Sequence, residues 1–363
     1  MDNNIVLKIK DSVDLFLTDD FLLTVYYMNT RVRKTFKVNS LTISLLEAID
    51  GKSNLYELSA IINLQPSDIK ILIKALLHHR IITPVYNKNN KAISARYSRQ
   101  LNYFSEFFET EEEGYLAQEK LSKYKILVLG CGGVGSTIAI QLAMAGIKNF
   151  ILFDDNIVRN SDISRHLFFR EKNIGLHKTE ALGLFLKEID KDIKVECLNQ
   201  YLEPNTKIDH LIMDSDFIIN TLDEPYIGYT AAKISRVCVK HKKAHYIAGG
   251  FDAHLASTGE LIIPGVTPCV ECYAMYFKEK LKGWKPKKHP VVVRSAELGG
   301  LSSLSLFSAS FSSIEIIKYL LSLVPMEDSY KVRGEFLFDT MELTYLNVQK
   351  NKLCPVCGEK DDV

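Results

Sequence analysis

Between Lys125 and Gly146 the chain reads KILVLGCGGVGSTIAIQLAMAG, and this stretch constrains the fold more than any other. An apolar run enters a glycine-rich turn and leaves it as a small-residue segment compatible with a helix. Gly130, Gly132 and Gly135 take the G-x-G-x-x-G spacing of a nucleotide-binding loop, with Gly133 added. From Lys125 onward, apolar runs and helical periods alternate. KILVLG, FILFDD, IKVECLN, DFIINTLD and AHYIAGG read as strands. STIAIQLAMAG, HKTEALGLFLKEI and EPYIGYTAAKISRVCVKH read as the helices between them. Such alternation argues for a parallel sheet covered by helices, an α/β Rossmann-like doubly wound fold over residues 124–363.

Residues 1–86 follow a different pattern. The short β-rich runs LFLTD, LLTVYYM and RKTFKV precede three helical segments, SLTISLLEAID, NLYELSAII and SDIKILIKALLHHRII. Turn signals at Gly51-Lys52-Ser53 and Gln65-Pro66-Ser67 separate the helices. A small winged-helix module fits this order, either as a binding unit or as a packing unit. The polar stretch VYNKNNKAISARY leads into a linker and arm over residues 87–123.

A net charge of +1 gives no global reason to expect nucleic acid or an anionic membrane as partner. The start, MDNNIVLKIKDSVD, mixes charges among its apolar residues and does not read as a signal peptide. The apolar stretch LSSLSLFSASFSSIEIIKYLLSLV is interrupted by serines, Glu315 and Lys318, so it reads as a buried small-residue helix, not a membrane span. A cytoplasmic enzyme is the expectation. Four of the seven cysteines lie in two close pairs, Cys269-x-x-Cys272 and Cys354-x-x-Cys357, which without a secretion signal favours metal over disulfides. FKEKLKGWKPKKHP, residues 277–290, reads either as a loop closing over substrate or as a solvated connection. Ser295 and Glu297 follow it with no assigned role.

The glycine loop alone does not choose its nucleotide. Asp154, at the end of FILFDD, suits a ribose diol, and that agrees equally with NAD and ATP. The charges placed after it decide the matter. Arg165 and Lys178 supply two cations, the second opening a helix where phosphate is welcome. Asp223 closes the apolar run IINTLD at the carboxyl edge of the sheet, with a helix N-cap as its plainer reading. Two cations and an acid suit a triphosphate with Mg²⁺, and a pyrophosphate bridge needs none of them.

As a set, GCGGVGS, ILFDD, DISRH, GLHKTE and TLDE resemble the E1-like, ThiF/MoeB-type adenylating superfamily, with RYSRQL ahead of them at residues 96–101. The resemblance covers about residues 95–360 and is carried by Gly130, Gly132, Gly133, Gly135, Asp154, Arg165, Lys178 and Asp223. It implies ATP and Mg²⁺, with Asp223 on the metal. It also implies a homodimer in which Arg99 reaches the partner's nucleotide, and a structural zinc on Cys269, Cys272, Cys354 and Cys357. Asp162 and His166 depart from the family's N-L-x-R-Q, and Asp162 stands where it could repel the triphosphate or share its metal.

A thioester cysteine is not evident: Cys131 lies in the glycine loop, Cys197 in a strand and Cys238 in an apolar helix. A small module ahead of such a core resembles the precursor-peptide clamp of enzymes that modify ribosomally made peptides, of the microcin C and pantocin A types. The resemblance implies that a peptide adds as a strand within residues 14–38 and that one of its carboxylates is adenylated. Two other readings stay open, activation of a sulfur-carrier protein and a non-catalytic leader-peptide-binding partner.

Overall fold

The computed structural model describes residues 4–86, 95–252, 255–285, 287, 300–325 and 333–358. It divides into two compact units, residues 1–119 and 120–363.

In the first unit, β1 (Leu7–Ile9) pairs antiparallel with β5 (Ile82–Pro84). Strands β2 (Val13–Leu17), β3 (Leu22–Tyr27) and β4 (Val32–Lys37) form a separate antiparallel sheet in the order β2-β3-β4. Helices α1 (Ser40–Ala48), α2 (Leu55–Ile61) and α3 (Pro66–His78) lie between β4 and β5. Their starts are written locally. Asn39 caps α1, Asn54 and Glu57 form a capping box on α2, and Pro66 opens α3. On α3 the buried Ile69, Ile73 and Leu76 recur at helical spacing and meet Leu7, Val25, Leu45, Leu55 and Leu58 in one core. Helix α4 (Ser98–Ser105) follows, and α5 (Glu111–Lys123) runs across the division between units.

The second unit is built on a six-stranded sheet, ordered β13-β10-β9-β6-β7-β8. Its strands are β6 (Lys125–Leu129), β7 (Asn149–Phe153), β8 (Lys194–Leu198), β9 (Phe217–Asn220), β10 (His245–Ile247) and β13 (Glu260–Ile262). Neighbours from β10 to β8 are parallel, and β6 is followed in chain order by strands on one side and then on the other. That reversal places a topological switch point between the carboxyl ends of β6 and β9, where doubly wound sheets bind ligands. All four residues of β9 and four of the five in β6 are buried, as a sheet covered on both faces requires. The helices are α6 (Gly133–Ala145), α7 (Lys178–Ile189), α8 (Asp209–Met213), α9 (Ile227–Lys240), α10 (Val270–Lys280) and α11 (Ser302–Leu321).

The expected α/β fold holds, with differences in detail. The outer strand β13 runs antiparallel to β10. Strands β11 (Phe251–Asp252), β12 (Leu255–Ser257), β14 (Gly334–Leu337) and β15 (Glu342–Tyr345) form a second, antiparallel sheet. Helix α11 is long and apolar enough to cross a membrane by length and composition alone. Its Ser305, Ser308, Ala309, Ser312 and Ile316 are nevertheless buried, and Ser310 accepts a bond from Gln141 of α6 at 2.8 Å. Helix α10 takes in the first residues of the lysine-rich stretch. Pro286, residues 288–290, Ser295 and Glu297 lie outside the described residues.

His245 is wholly buried on β10, its Nδ1 3.1 Å from the Lys243 carbonyl and its Nε2 2.9 Å from Ser235 Oγ. Burial lowers its pKa from 6.5 to about 4. Between those values the unfolded chain takes up a proton that the folded chain refuses, so stability is lost as pH falls. His245→Gln is therefore expected to remove about 2 kcal/mol of the destabilisation between pH 7 and pH 5. Urea midpoints at the two pH values check this, and an unchanged pH difference in the variant would refute it.

Candidate active site

The glycine loop leaves β6 at the switch point. Gly130 has φ +96°, and a Cβ there would lie 2.4 Å from Thr221 Oγ1. A Cβ on Gly135 would lie 2.1 Å from the Gly130 carbonyl oxygen, so this first turn of α6 closes only on glycine. Gly132 is different, since a Cβ there would meet nothing within 4 Å among the described residues. It is the N-cap of α6 and makes no side-chain cap, leaving the positive end of the helix to an anion. The Gly133 backbone lies against Arg165 and Ser305, its Cβ direction 3.3 Å from the Arg165 carbonyl.

Asp154 follows β7 and is 4% exposed. Its Oδ2 accepts the Cys131 N–H at 2.6 Å and its Oδ1 the Asn156 N–H at 2.8 Å. The carboxylate thus fastens the glycine loop to the next strand, a task the sequence did not disclose. Thr221 supports the loop from the other side, its hydroxyl donating to the carbonyls of Leu129 and Gly130 at 3.2 and 3.0 Å. Buried Asn220 accepts the Leu222 N–H at 3.3 Å and shapes the turn that carries Asp223. Thr221 and Asn220 were missed, although the run I-N-T-L-D was the available signal.

Asp162, Arg165, His166 and Lys178 come together on the β7–α7 connection. The Asp162 side chain is 2% exposed, and its Oδ1 takes Arg165 Nη2 at 3.0 Å and Lys178 Nζ at 3.4 Å. Its Oδ2 accepts the Arg159 N–H at 2.9 Å. Burial pushes the carboxyl's pKa up, but the Arg159 N–H and the Lys178 ammonium outweigh it and hold it below the usual carboxylate range. His166 Nδ1 donates to the Asp162 carbonyl at 2.8 Å. Burial lowers the imidazole to about 4, so the ring is neutral. Its Nε2 is buried without a hydrogen-bond partner among the described residues, and the ring lies 4.5 Å from that of Phe169. Lys178 opens α7, and its N–H donates to the Asn156 carbonyl at 2.9 Å.

One expected placement changes. Asp223 does not end the strand: β9 stops at Asn220, and Asp223 is exposed in the loop beyond. Nor is it a helix cap, since Tyr226 caps α9. Arg99 is exposed on α4, in the first unit.

Cys269 caps α10, Cys272 lies in its first turn, and Cys354 and Cys357 come from a turn 85 residues further on. All four sulfurs lie within 4.8 Å of one another. Cys269–Cys354 and Cys272–Cys357 are 3.6 and 3.4 Å apart, too far for disulfide bonds of about 2 Å. Sulfurs on a tetrahedral zinc ion stand about 3.8 Å apart, so this donor set fits that ion. The Asn351 N–H donates to Cys272 Sγ at 3.4 Å, the kind of outer contact that orients a thiolate. Of the remaining cysteines, Cys131 and Cys238 are buried, and Cys197 is exposed as a residue but turns its thiol to the Thr179 carbonyl at 3.4 Å; loss of solvent at the sulfur raises all three thiols, the reverse of an activated nucleophile.

Residues 97–356 match the model of the ThiF family. The chain belongs to the ThiF family. With that family and its adenylyltransferase relatives, it is an ATP-dependent adenylyltransferase with an E1-like fold. The vegetative HesA protein of Trichormus variabilis is 30% identical over 252 residues, 68% of this chain and 84% of its own. The SAMP-activating enzyme E1 of Haloferax volcanii is 24% identical over 72% of this chain and 90% of its own. Among solved structures, E. coli MccB with ATP and MccB with MccA-N7isoASN give TM-scores of 0.74 and 0.76 at 21% and 20% identity. Each covers 97% of this chain and 99% of its own, and at such identity the likeness is one of fold.

Proposed function

We propose that this ThiF-family enzyme adenylates a carboxylate of a small ribosomally made peptide, held by the first unit while the second carries ATP. One observation supports the peptide above all. The fold shared with MccB, solved with its peptide MccA, extends over 97% of the chain and so includes the first unit, whereas the HesA alignment spans only 68%.

Strand β4 suits the clamp. It is an edge of its sheet, and beside it a cavity of about 430 Å³ is lined by Leu23, Phe36, Val38, Leu72, Leu76 and Ile81, among others. Val38 N–H bonds the Phe21 carbonyl at 2.9 Å, which sets the alternation of the β3–β4 ladder. By that alternation Arg33, Thr35 and Lys37 turn their backbone groups away from β3, free to pair with an added strand. Thr35→Pro removes one outward N–H while leaving the ladder to β3 intact. The variant is expected to bind peptide at least ~10-fold more weakly with ATP binding unchanged. Fluorescence anisotropy of a labelled peptide measures this, and undiminished affinity would move the clamp elsewhere.

In the reaction a carboxylate oxygen attacks the α-phosphorus of ATP, the bond to the bridging oxygen breaks, and pyrophosphate leaves with the electron pair. The helix end at Gly132 and Gly133 receives phosphate oxygens, and Lys178 and Arg165 offset the charge developing on them. Mg²⁺ when bound would neutralise the departing pyrophosphate, with exposed Asp223 as its carboxylate. Asp154 keeps the glycine loop in place beside the ribose. Arg99 acts from the partner of a homodimer. The four-cysteine cluster holds a structural zinc, because a closed set of thiolates leaves no position for substrate.

Mass spectrometry of candidate short precursor peptides, after incubation with enzyme and Mg-ATP, tests the proposal. A peptide heavier by one AMP supports nucleotidyl transfer of the microcin C type. A lighter peptide with AMP released supports internal condensation of the pantocin A type. An unchanged peptide without pyrophosphate release would favour the second reading, activation of a carrier-protein terminus, to which the SAMP-activating relative points.

A further inference from the structure

We propose that Asp162 is a positioning residue of the nucleotide site, one that gathers Arg165 and Lys178 on a single carboxylate oxygen and offsets part of their charge. This rests on the adenylation reading above and adds to it a division of labour between binding and catalysis.

The position is built around an acid. Its Oδ1 receives both cations at 3.0 and 3.4 Å, while its Oδ2 takes the Arg159 N–H at 2.9 Å. Its backbone carbonyl accepts the N–H groups of Arg165 and His166, each at 3.0 Å, and His166 Nδ1 at 2.8 Å. The carboxylate therefore faces protein donors on both oxygens, an arrangement unlike that of a group kept open for a metal ion. An asparagine cannot reproduce it. Its carbonyl could serve the Arg159 N–H or the two cations, but its NH₂ would face a donor at the other end.

The charge balance has a consequence for catalysis. Two cations held 3 to 4 Å from one carboxylate attract a resting triphosphate less than two free cations do. They are also held in place, so the charge they retain meets the charge that develops as pyrophosphate departs without first having to be ordered. Interactions that strengthen only in the transition state raise turnover, whereas tighter ground-state binding does not.

Asp162→Asn in the full chain separates these effects. Calorimetric titration with Mg²⁺ and a non-hydrolysable ATP analogue is expected to show binding about 3- to 10-fold tighter than in the parent chain, with a steeper salt dependence. Peptide-dependent pyrophosphate release is expected to fall about 10- to 100-fold in kcat. A merely structural role would weaken both together. Should the asparagine variant fail to fold, Asp162→Ser keeps an oxygen for the Arg159 N–H, removes the charge and carries the same expectation. Weaker nucleotide binding in the variants would show the carboxylate serving the nucleotide or its metal directly, and unchanged binding would remove its role; either overturns the proposal. A parent chain that bound no analogue would sink the adenylation reading itself, which keeps the two failures apart.

Discussion

Lys178→Met is expected to lower peptide-dependent pyrophosphate exchange by about 10²- to 10³-fold while the chain still folds. The ammonium opens α7, its side chain is 13% exposed, and Asp162 is its ion-pair partner. Methionine keeps the apolar stem and the helix start, and Arg165 still covers the Asp162 carboxylate at 3.0 Å. On the proposed role, what is lost is a localised charge beside phosphate oxygens in a partly buried site, where one donor is commonly worth about 3 to 4 kcal/mol in the transition state. Arg165 has a side chain 40% exposed and shares its charge with water, so Arg165→Met is expected to cost less. Exchange assays at saturating ATP and peptide, with melting curves alongside, check both variants. A Lys178 variant within about threefold of the parent would place the transferring phosphate elsewhere.

Chelating the zinc proposed for the four-cysteine cluster is expected to lower the melting temperature by more than about 10 °C. The cluster joins two segments 85 residues apart, and its cysteines share a core with Ala231, Ile247 and Ile262. Without a cation, burial keeps the Cys269 thiol above its ordinary range, and four thiols are left facing one another. Structural zinc commonly contributes many kcal/mol of folding free energy, and each kcal/mol moves the melting point of a domain this size by about 2 to 4 °C. Cys354→Ser is expected to show the same loss together with a fall in bound zinc, read by metal analysis. Below the new transition, exchange activity per folded molecule is expected to stay within about threefold, because the sulfurs close the coordination shell. An unchanged melting curve after complete metal removal would show that the cluster is not a zinc staple.

Much of the second unit was legible because parallel strands buried on both faces read as unbroken apolar runs, as in ILVL and FIIN. The glycine loop was legible because two of its glycines, Gly130 and Gly135, are required sterically. Other features carry no local mark. Strand β12 pairs with β14 across some eighty residues, and nothing in LAS or GEFL declares that pairing. The antiparallel β13 is only three residues long. Asp162 was visible as a departure from the family motif, but its meaning lay in burial and in donors at Arg159, Arg165 and Lys178, which spacing alone does not reveal. Asp154 shows the same limit, since an acid at a strand end does not announce that both its oxygens hold backbone.

The outer edge of β4, unpaired among the described residues, has a consequence for the protein's behaviour in concentrated solution. Any unpaired strand edge is a template for another copy of the same chain, and such templates seed aggregation. Arg31, Arg33, Lys34 and Lys37 crowd this one with positive charge. Two copies approaching edge to edge set like charges against each other, whereas a neutral or acidic segment meets no such barrier. The strand thus discourages self-association while staying open to a stranger.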